Sequence, residues 1–572
     1  MLRGEEVIAE FERLTKDATA VQRETLRRIL AKNAGVEYLR GCGLGGQTDP
    51  DSFRACVPLV THQDIEPYIQ RIADGDTSPL LTAKPISSIS LRSVTNVAAA
   101  KPISSDPRES SGTTQGKRKY LPFNNELFKS AIHVYRTSFA FRNRAFPVDD
   151  GKTLQFIFAS REFTTAGGLT ATTATTHLYR SPEFKPTTSD VRLRSASPNE
   201  VVFGPDFEES LYCHLLCGLL AAGEVRVVSA TFAHSIVLAF QTLERVWEDL
   251  CADIRRGAPS PARVATPAVR RAVAALMPAP NPARADEVAS ACAGLSNKSN
   301  WRGVIPALWP NARYVCTIVT GSMEHYVRKL RHYAGDDGLP LVAADYGATE
   351  GMVGPNVEPG APPESATFAV LPSIAYFEFI PLKLGGLYRY RLGDMVKVTG
   401  FYNSTPKLKF VCRRGLMLSI NIDKNSEQDV QLAVDDAAKV LATTATKNNL
   451  EVVDYTSYAD LSSDPGHYVI FWELNNDANN NDDEVMQRCC DELDRGFADA
   501  GYVGSRKTRA IGPLELRVLK KGTIQKVLRH YRSLGFSPNQ FKLPRCIARS
   551  NFGVLRILSA NTAKVFFSTA YN

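Results

Sequence analysis

EVRVVSATF, Glu224–Phe232, is an apolar, β-branched run of strand length, and it leads into VLAFQTLERVWEDLCADIR, Val237–Arg255, whose apolar residues recur at helical spacing. A strand delivered into so long a helix favours a next strand that returns parallel to the first. RYVCTIVTG, Arg313–Gly321, repeats the theme as a buried strand closed by a glycine turn, where open α/β sheets place their ligands. Upstream, LQFIFAS (Leu154–Ser160) predicts another strand and Glu126–Phe141 another helix. Ala258–Gly294, rich in Ala, Pro and Arg, predicts a helical excursion with proline-marked ends. At the N-terminus, Val7, Ile8, Phe11, Leu14, Leu26, Ile29 and Leu30 share one face of a helical pattern running from Glu5 to about Leu39. The alternation predicts an α/β fold with a largely parallel sheet.

After Tyr402 the pattern changes. KLKFVCRR (Lys407–Arg414) alternates as a strand, LSINIDKN follows, and Ser426–Leu441 predicts an acidic helix. NNDANNNDDE, Asn475–Glu484, cannot bury a core and reads as a surface loop before a helix at Val485–Ala500. The division expected is a large N-terminal α/β domain, 1–421, and a smaller α+β domain, 422–572.

The 572 residues carry a net charge of +8, spread along the chain, with 44% apolar and 22% charged residues. That suits anionic small substrates and gives no basic tail of the kind nucleic acid would require. The longest apolar stretch, near Leu211–Gly223, is too short to cross a bilayer, and Glu5, Glu6 and Glu10 belong to an amphipathic helix rather than a signal peptide. Eleven cysteines without C-x-x-C pairs point to free thiols in a reducing, cytoplasmic compartment. Cys213-His214-Leu215-Leu216-Cys217 looks metal-like, but its apolar setting favours a buried helix face. A monomer acting on small molecules, without nucleic acid or membrane, is the expectation.

Three motifs carry chemistry. Ser110, Ser111, Gly112, Thr113, Thr114, Gln115 and Gly116 precede Lys117, Arg118 and Lys119, a hydroxyl- and glycine-rich turn with cations at its exit. It suits phosphate oxygens, and it equally suits a solvated linker. It is not a Walker A loop, since Gly112 and Gly116 are one residue too close and no Ser or Thr follows Lys117. DYGATEG, Asp345–Gly351, offers Tyr346 to a purine face, Gly347 and the small residues after it for close backbone approach, and Glu350 as a hard oxygen ligand for Mg²⁺. GLYRYRLGD, Gly386–Asp394, ends in an acid able to accept both hydrogen bonds of a ribose diol, with Arg391, Arg413 and Arg414 as fixed cations. Each alone also fits an ordinary surface turn or salt-bridged strand.

In this order and spacing the motifs resemble the adenylate-forming superfamily. Within it, SSGTTQGKRKYLPF, IPALWPNARYV, TGSMEHYVRKLRHYAG, DYGATEG, ATFAVLPSIAYFEF, GLYRYRLGDMVKVTGFYN and LSINIDKN resemble the plant auxin-responsive acyl-acid–amido synthetases. VLRILSANTAKVFFSTAY is most similar to the jasmonate-conjugating branch. The resemblance implies a large adenylate-forming, firefly luciferase-like domain with a small mobile C-terminal one. It also implies an ATP- and Mg²⁺-dependent ligase that adenylates an acyl acid and transfers it to an amino acid. Jasmonate with an acceptor such as isoleucine is the first reading; indole-3-acetate or a benzoate with the same chemistry is the second. A homologue that binds nucleotide or a partner without turnover is the third. By the same resemblance Ser110–Gly116, Lys119, Tyr346, Gly347, Thr349, Asp394 and Arg413 would hold the nucleotide. Lys424, Lys526 (or Lys521) and Glu350 would serve catalysis, with Glu350 on the metal. Phe232, His234, Ser322, Met323 and Met352 would line the acyl pocket. Thr137 and the hydroxyls of ATTATTH, Ala171–His177, would handle the amino acid.

The chain departs from that family pattern at two motif borders. Arg92–Glu109 is inserted between SISL and SSGT, with AKPISS occurring twice, at Ala83–Ser88 and Ala100–Ser105, so that either copy can supply the strand entering the loop. Between Ile380 and Gly386 only PLKLG stands where the family has room for two more strands. A mis-joined exon at each border would produce both differences. Met352 replaces the Trp usual in the jasmonate branch.

Overall fold

The computed structural model describes residues 4–92, 119–160, 162–181, 193–336, 338–379, 394–413, 417–420, 423, 425–444, 450–476, 483–534, 542–547 and 551–571. These fall into two units. The first holds the described residues up to Phe410 apart from Lys119, Asp394 and Met395, and the second holds those three together with the described residues from Val411 onwards.

At the centre of the first unit is a five-stranded sheet in the order β6 (Leu193–Ser195), β3 (Gly151–Phe156), β7 (Val225–Phe232), β8 (Tyr314–Ile318), β9 (Leu341–Ala343). Every neighbouring pair is parallel. Leu154, Phe156, Val228 and Val315 are buried in it, as continuous apolar strands covered on both faces must be. The helix after β7 spans Ala233–Arg256 and stops at Gly257, whose φ of 75° is the left-handed cap that glycine accepts without strain. LQFIFAS is a strand only as far as Phe156. Beyond it Ala159 N donates to Val202 O at 2.7 Å, and the chain leaves the sheet. The helix Phe207–Leu220 is buried on nearly all sides. In it His214 engages Ser197 Oγ through Nδ1 (2.7 Å) and Ile157 O through Nε2 (2.9 Å).

A second sheet runs β2 (Lys119–Phe123), β1 (Ser88–Arg92), β5 (Thr170–Thr173), β4 (Phe163–Thr164). The first AKPISS copy thus feeds β1; the second copy, the phosphate-loop residues Ser110–Gly116 and the rest of the insertion lie outside the described residues. The single N-terminal helix expected from Glu5 to Leu39 is three, Gly4–Lys16, Ala18–Asn33 and Glu37–Gly41. Asp17 caps the second by accepting from Ala20 N at 2.9 Å. Ser404 Oγ intervenes at the break, accepting from Ala18 N (2.7 Å) and donating to Thr15 O (2.8 Å).

Two smaller pieces follow in the chain. β10 (Tyr346–Ala348) and β11 (Gly351–Gly354) form an antiparallel hairpin. β12 (Phe368–Ala369), β14 (Thr405–Arg413) and β13 (Asp394–Tyr402) form a three-stranded sheet in that order.

In the second unit β15 (Met417–Leu418) pairs with β16 (Asn425–Ser426), and β17 (Val452–Asp460), β18 (His467–Leu474), β19 (Glu515–Leu519) and β20 (Thr562–Phe567) make a mixed sheet. The helices Glu427–Thr444 and Asp483–Arg495 share a core with it through Val430, Leu441, Met486, Leu493, Tyr455 and Trp472. The helix expected at Val485–Ala500 ends at Arg495. A Cβ at Gly496 would stand 2.7 Å from Ala433 Cα, so the chain turns where only glycine fits against the neighbouring helix. Ten cysteines are described, all free thiols, and seven of them are buried. Among the described residues no helix is long and apolar enough to cross a membrane.

Candidate active site

β7, β8 and β9 are adjacent and parallel, so the residues that follow each strand lie at one edge of the sheet. β7 ends in Phe232, with His234 in the first turn of the following helix. β8 is followed by the short 3₁₀ helix Gly321–Tyr326, which carries Ser322 and the buried Met323. His234 meets Tyr326 edge-on, ring centroids 5.2 Å apart, which joins the first group to the second. β9 runs through Asp345 into Tyr346 and the β10–β11 hairpin, whose turn holds Thr349 and Glu350, both half-buried.

Tyr346 is 9% exposed and packs against Phe368 (5.7 Å) and Phe410 (6.1 Å). Phe410 also covers Gly321, where a Cβ would stand 2.9 Å from its ring, so one phenyl group touches both the Tyr346 strand and the Ser322–Met323 turn. Met352 lies over Gly347, its Sδ 2.6 Å from where a Cβ would be. The hairpin thus carries a candidate nucleotide residue and a candidate acyl residue back to back.

Thr137 is buried on the helix Asn125–Ala145, its Oγ1 donating to His133 O at 2.9 Å. Its neighbour Ser138 donates to Asp345 Oδ1, and Arg142 Nη1 stands 3.5 Å from the same oxygen. Burial raises the Asp345 carboxyl above its ordinary value, against the opposing pull of the Arg142 guanidinium. Ser138 and Arg142 escaped the reading of the sequence because they sit on a helix whose surface pattern says nothing of a carboxylate some 207 residues away. The one available signal was Asp345 itself, a charge placed directly after the apolar run LPLVAA.

In ATTATTH the hydroxyls are largely used among themselves, Thr173 Oγ1 lying 3.0 Å from both Thr176 Oγ1 and Ser160 Oγ. His177 is the residue there with reach. Its Nε2 is 3.0 Å from Ile89 O of β1 and its ring stacks on Phe123 of β2 at 5.0 Å, clamping the two strands that flank residues 93–118.

The remaining candidates are placed as follows. Lys119 opens β2 and Arg413 closes β14, but their side chains, like Lys424, lie outside the described residues. Asp394 opens β13 and belongs with the second unit. Lys526 is exposed on the helix Thr523–Ser533 of that unit, its Nζ donating to Asn561 Oδ1 at 2.6 Å. The start of that helix rests on the buried Glu473 of β18, which accepts from Gly522 N (2.8 Å) and Ile524 N (2.6 Å).

Residues 7–340 match the GH3 family N-terminal domain, 382–413 its central domain and 428–551 its C-terminal domain. The chain belongs to the GH3 family. Among GH3 relatives, the probable indole-3-acetic acid-amido synthetase GH3.12 of Oryza sativa subsp. japonica is 60% identical over 99% of this chain and 97% of its own. The jasmonoyl–L-amino acid synthetase JAR4 of Nicotiana attenuata is 54% identical over 99% of this chain and 98% of its own. The GH3 fold is shared with the solved acyl acid amido synthetase GH3.15 in complex with 2,4-DB, at a TM-score of 0.85, 33% identity and coverage of 99% and 98%. The alignment with GH3.12 runs over 620 positions against 572 residues in this chain, so at least 48 positions of that relative have no counterpart here.

Proposed function

We propose that this GH3 chain is an ATP-dependent acyl-acid–amido synthetase that adenylates jasmonate and joins it to an amino acid such as isoleucine. The observation carrying the reading is that Phe232 and His234, Ser322 and Met323, and Tyr346 follow three adjacent parallel strands at one edge of the sheet, with the His234–Tyr326 and Tyr346–Phe410 ring contacts among them. Relatives named for jasmonoyl transfer support the choice of acid, and full-length similarity to named amido synthetases supports the reaction class.

In the first half-reaction a carboxylate oxygen of the acid bonds to the α-phosphorus of ATP, the co-substrate, and pyrophosphate leaves. In the second the amine nitrogen bonds to the activated carbonyl carbon, AMP leaves, and a proton is lost from nitrogen. Tyr346 would lie against adenine, Thr349 would donate to phosphate, and Asp394 would accept from the ribose. The acid would sit among Phe232, His234, Ser322, Met323 and Met352, and keeping water from that place would protect the adenylate until the amine arrives. Glu350 would hold Mg²⁺. No group of three or more His, Cys, Asp or Glu placed to hold a metal ion is found among the described residues, and one carboxylate completed by phosphate oxygens and water is a ligand set that suits Mg²⁺. That ion, when bound, screens the phosphate charge from the incoming carboxylate. Lys526, Lys521 or Lys424 would supply a cation from the second unit for one half-reaction. A cytoplasmic location would suit these free thiols.

A second reading, indole-3-acetate as the acid, is favoured by the name of the 60% identical rice relative and by Met352, which leaves more room than Trp. Incubation with ATP, Mg²⁺, a panel of acids and the amino acids, followed by mass spectrometry, separates them. Jasmonoyl-isoleucine with stoichiometric AMP is the expected product. An amide formed from indole-3-acetate or a benzoate alone would replace the first reading by the second, and ATP binding without pyrophosphate release would mark a non-catalytic homologue.

A further inference from the structure

We propose that Asp345 is a positioning residue for the nucleotide, its carboxylate holding the strand of Tyr346 in place through Ser138 and Arg142. The inference rests on the reading that Tyr346 packs on adenine.

The stretch before it is fixed to the sheet. Ala343 pairs with Thr317 of β8, Ala344 N donates to Thr317 O at 2.9 Å, and Asn356 Nδ2 donates to Ala343 O at 3.0 Å. At Asp345 the attachment changes from sheet to helix. Its side chain is 5% exposed and that of Arg142 13%, and Ser138 donates to the same carboxylate oxygen that faces Arg142. Tyr314 of β8 is a neighbour of Arg142, whose charge opposes the rise that burial gives the Tyr314 phenol. One residue further on, the Tyr346 ring is set between Phe368 and Phe410.

A buried carboxylate is stable only where its partners already stand, so it accepts few orientations. Asp345 stands directly before β10, so anchoring its side chain anchors the backbone from which Tyr346 emerges. An apolar residue at position 345 would fill the space without imposing that direction. The tie also binds the helix of Thr137 to the adenine strand, and its effect is directional rather than merely cohesive.

The test uses the full-length enzyme and its Asp345→Asn, Ser138→Ala and Tyr346→Ala variants. KM for ATP, for the acid and for the amino acid, kcat, and direct ATP binding by calorimetry are measured, with circular dichroism to confirm folding. Asp345→Asn is expected to raise KM for ATP about tenfold and weaken ATP binding in parallel, with kcat at saturating ATP falling by less than about threefold. KM for the amino acid should stay within about twofold, and Ser138→Ala should shift KM for ATP the same way by about threefold. A folded Asp345→Asn enzyme with wild-type ATP affinity, or one in which all three KM values rise together, overturns the proposal. If Asp345→Asn does not fold, Ser138→Ala decides alone, because it keeps the ion pair and loses only the hydroxyl. If Tyr346→Ala leaves ATP binding unchanged, the adenine reading falls and the inference with it. If Tyr346→Ala weakens binding and Asp345→Asn does not, only the inference falls.

Discussion

His214 has both ring nitrogens engaged inside an apolar core, by Ser197 Oγ and Ile157 O. Burial drives its pKa down from 6.5 to about 4, so the folded protein holds it neutral while the unfolded chain binds a proton below 6.5. Its contribution to stability is therefore complete above pH 6.5 and decays as the pH falls from there towards 4, by about 3 kcal/mol in all. Urea unfolding across that range is expected to show the loss, and His214→Gln should flatten it; a wild-type protein equally stable at pH 4.5 and 7 would refute the assignment. Gly354 illustrates the steric counterpart. A Cβ there would stand 1.8 Å from Ala369 O, where β11 passes the backbone of β12. Gly354→Ala should cost about 3 kcal/mol or more and loosen the Tyr346 hairpin, to be read as a lower unfolding midpoint together with weaker ATP binding.

Among the elements, the start of the helix Thr523–Ser533 depends on one carboxylate. Glu473 reaches from β18 to accept from Gly522 N and Ile524 N, two of the donors that a helix N-terminus leaves without partners. Glu473→Ala leaves those amides unsatisfied in a largely buried place, and a loss of about 1–3 kcal/mol is expected in urea unfolding of the full chain. If the lysines beside this turn act in one half-reaction, kcat should fall further than KM changes. Elements of this kind were partly readable in the sequence. Strands and helices near Glu224–Arg256 and Arg313–Gly321 announce themselves, because covered parallel strands need unbroken apolar runs. For the same reason the edge holding Phe232, His234, Ser322 and Met323 could be named. Contacts that cross elements could not. The break at Asp17 depends on Ser404, 386 residues beyond Ala18, and the hold on Asp345 depends on two side chains of a distant helix. No local pattern specifies such partners. GLYRYRLGD and the phosphate loop were the clearest motifs, but apart from Asp394 they fall outside the described residues.

At the level of the whole molecule, the second unit has a complete core of its own, with Trp472, Tyr455, Tyr468 and Phe497 at its centre. Two cores imply that unfolding need not be a single cooperative event. Calorimetry is expected to resolve two transitions. Saturating ATP at about a hundred times its Kd should raise that of the first unit, which carries Tyr346, by the equivalent of about 2.7 kcal/mol. One transition, shifted as a block, would contradict independent cores.

The buried thiols have a use of their own. Cys213, Cys217, Cys251 and Cys292 are hidden in the first unit and Cys489, Cys490 and Cys546 in the second. Burial raises Cys217 and Cys489 to about 12, so neither presents a thiolate while its surroundings are closed. Each half of the chain thus contains a chemical clock that starts only when that half breathes, and timed alkylation with peptide mapping would read the two clocks separately in one sample.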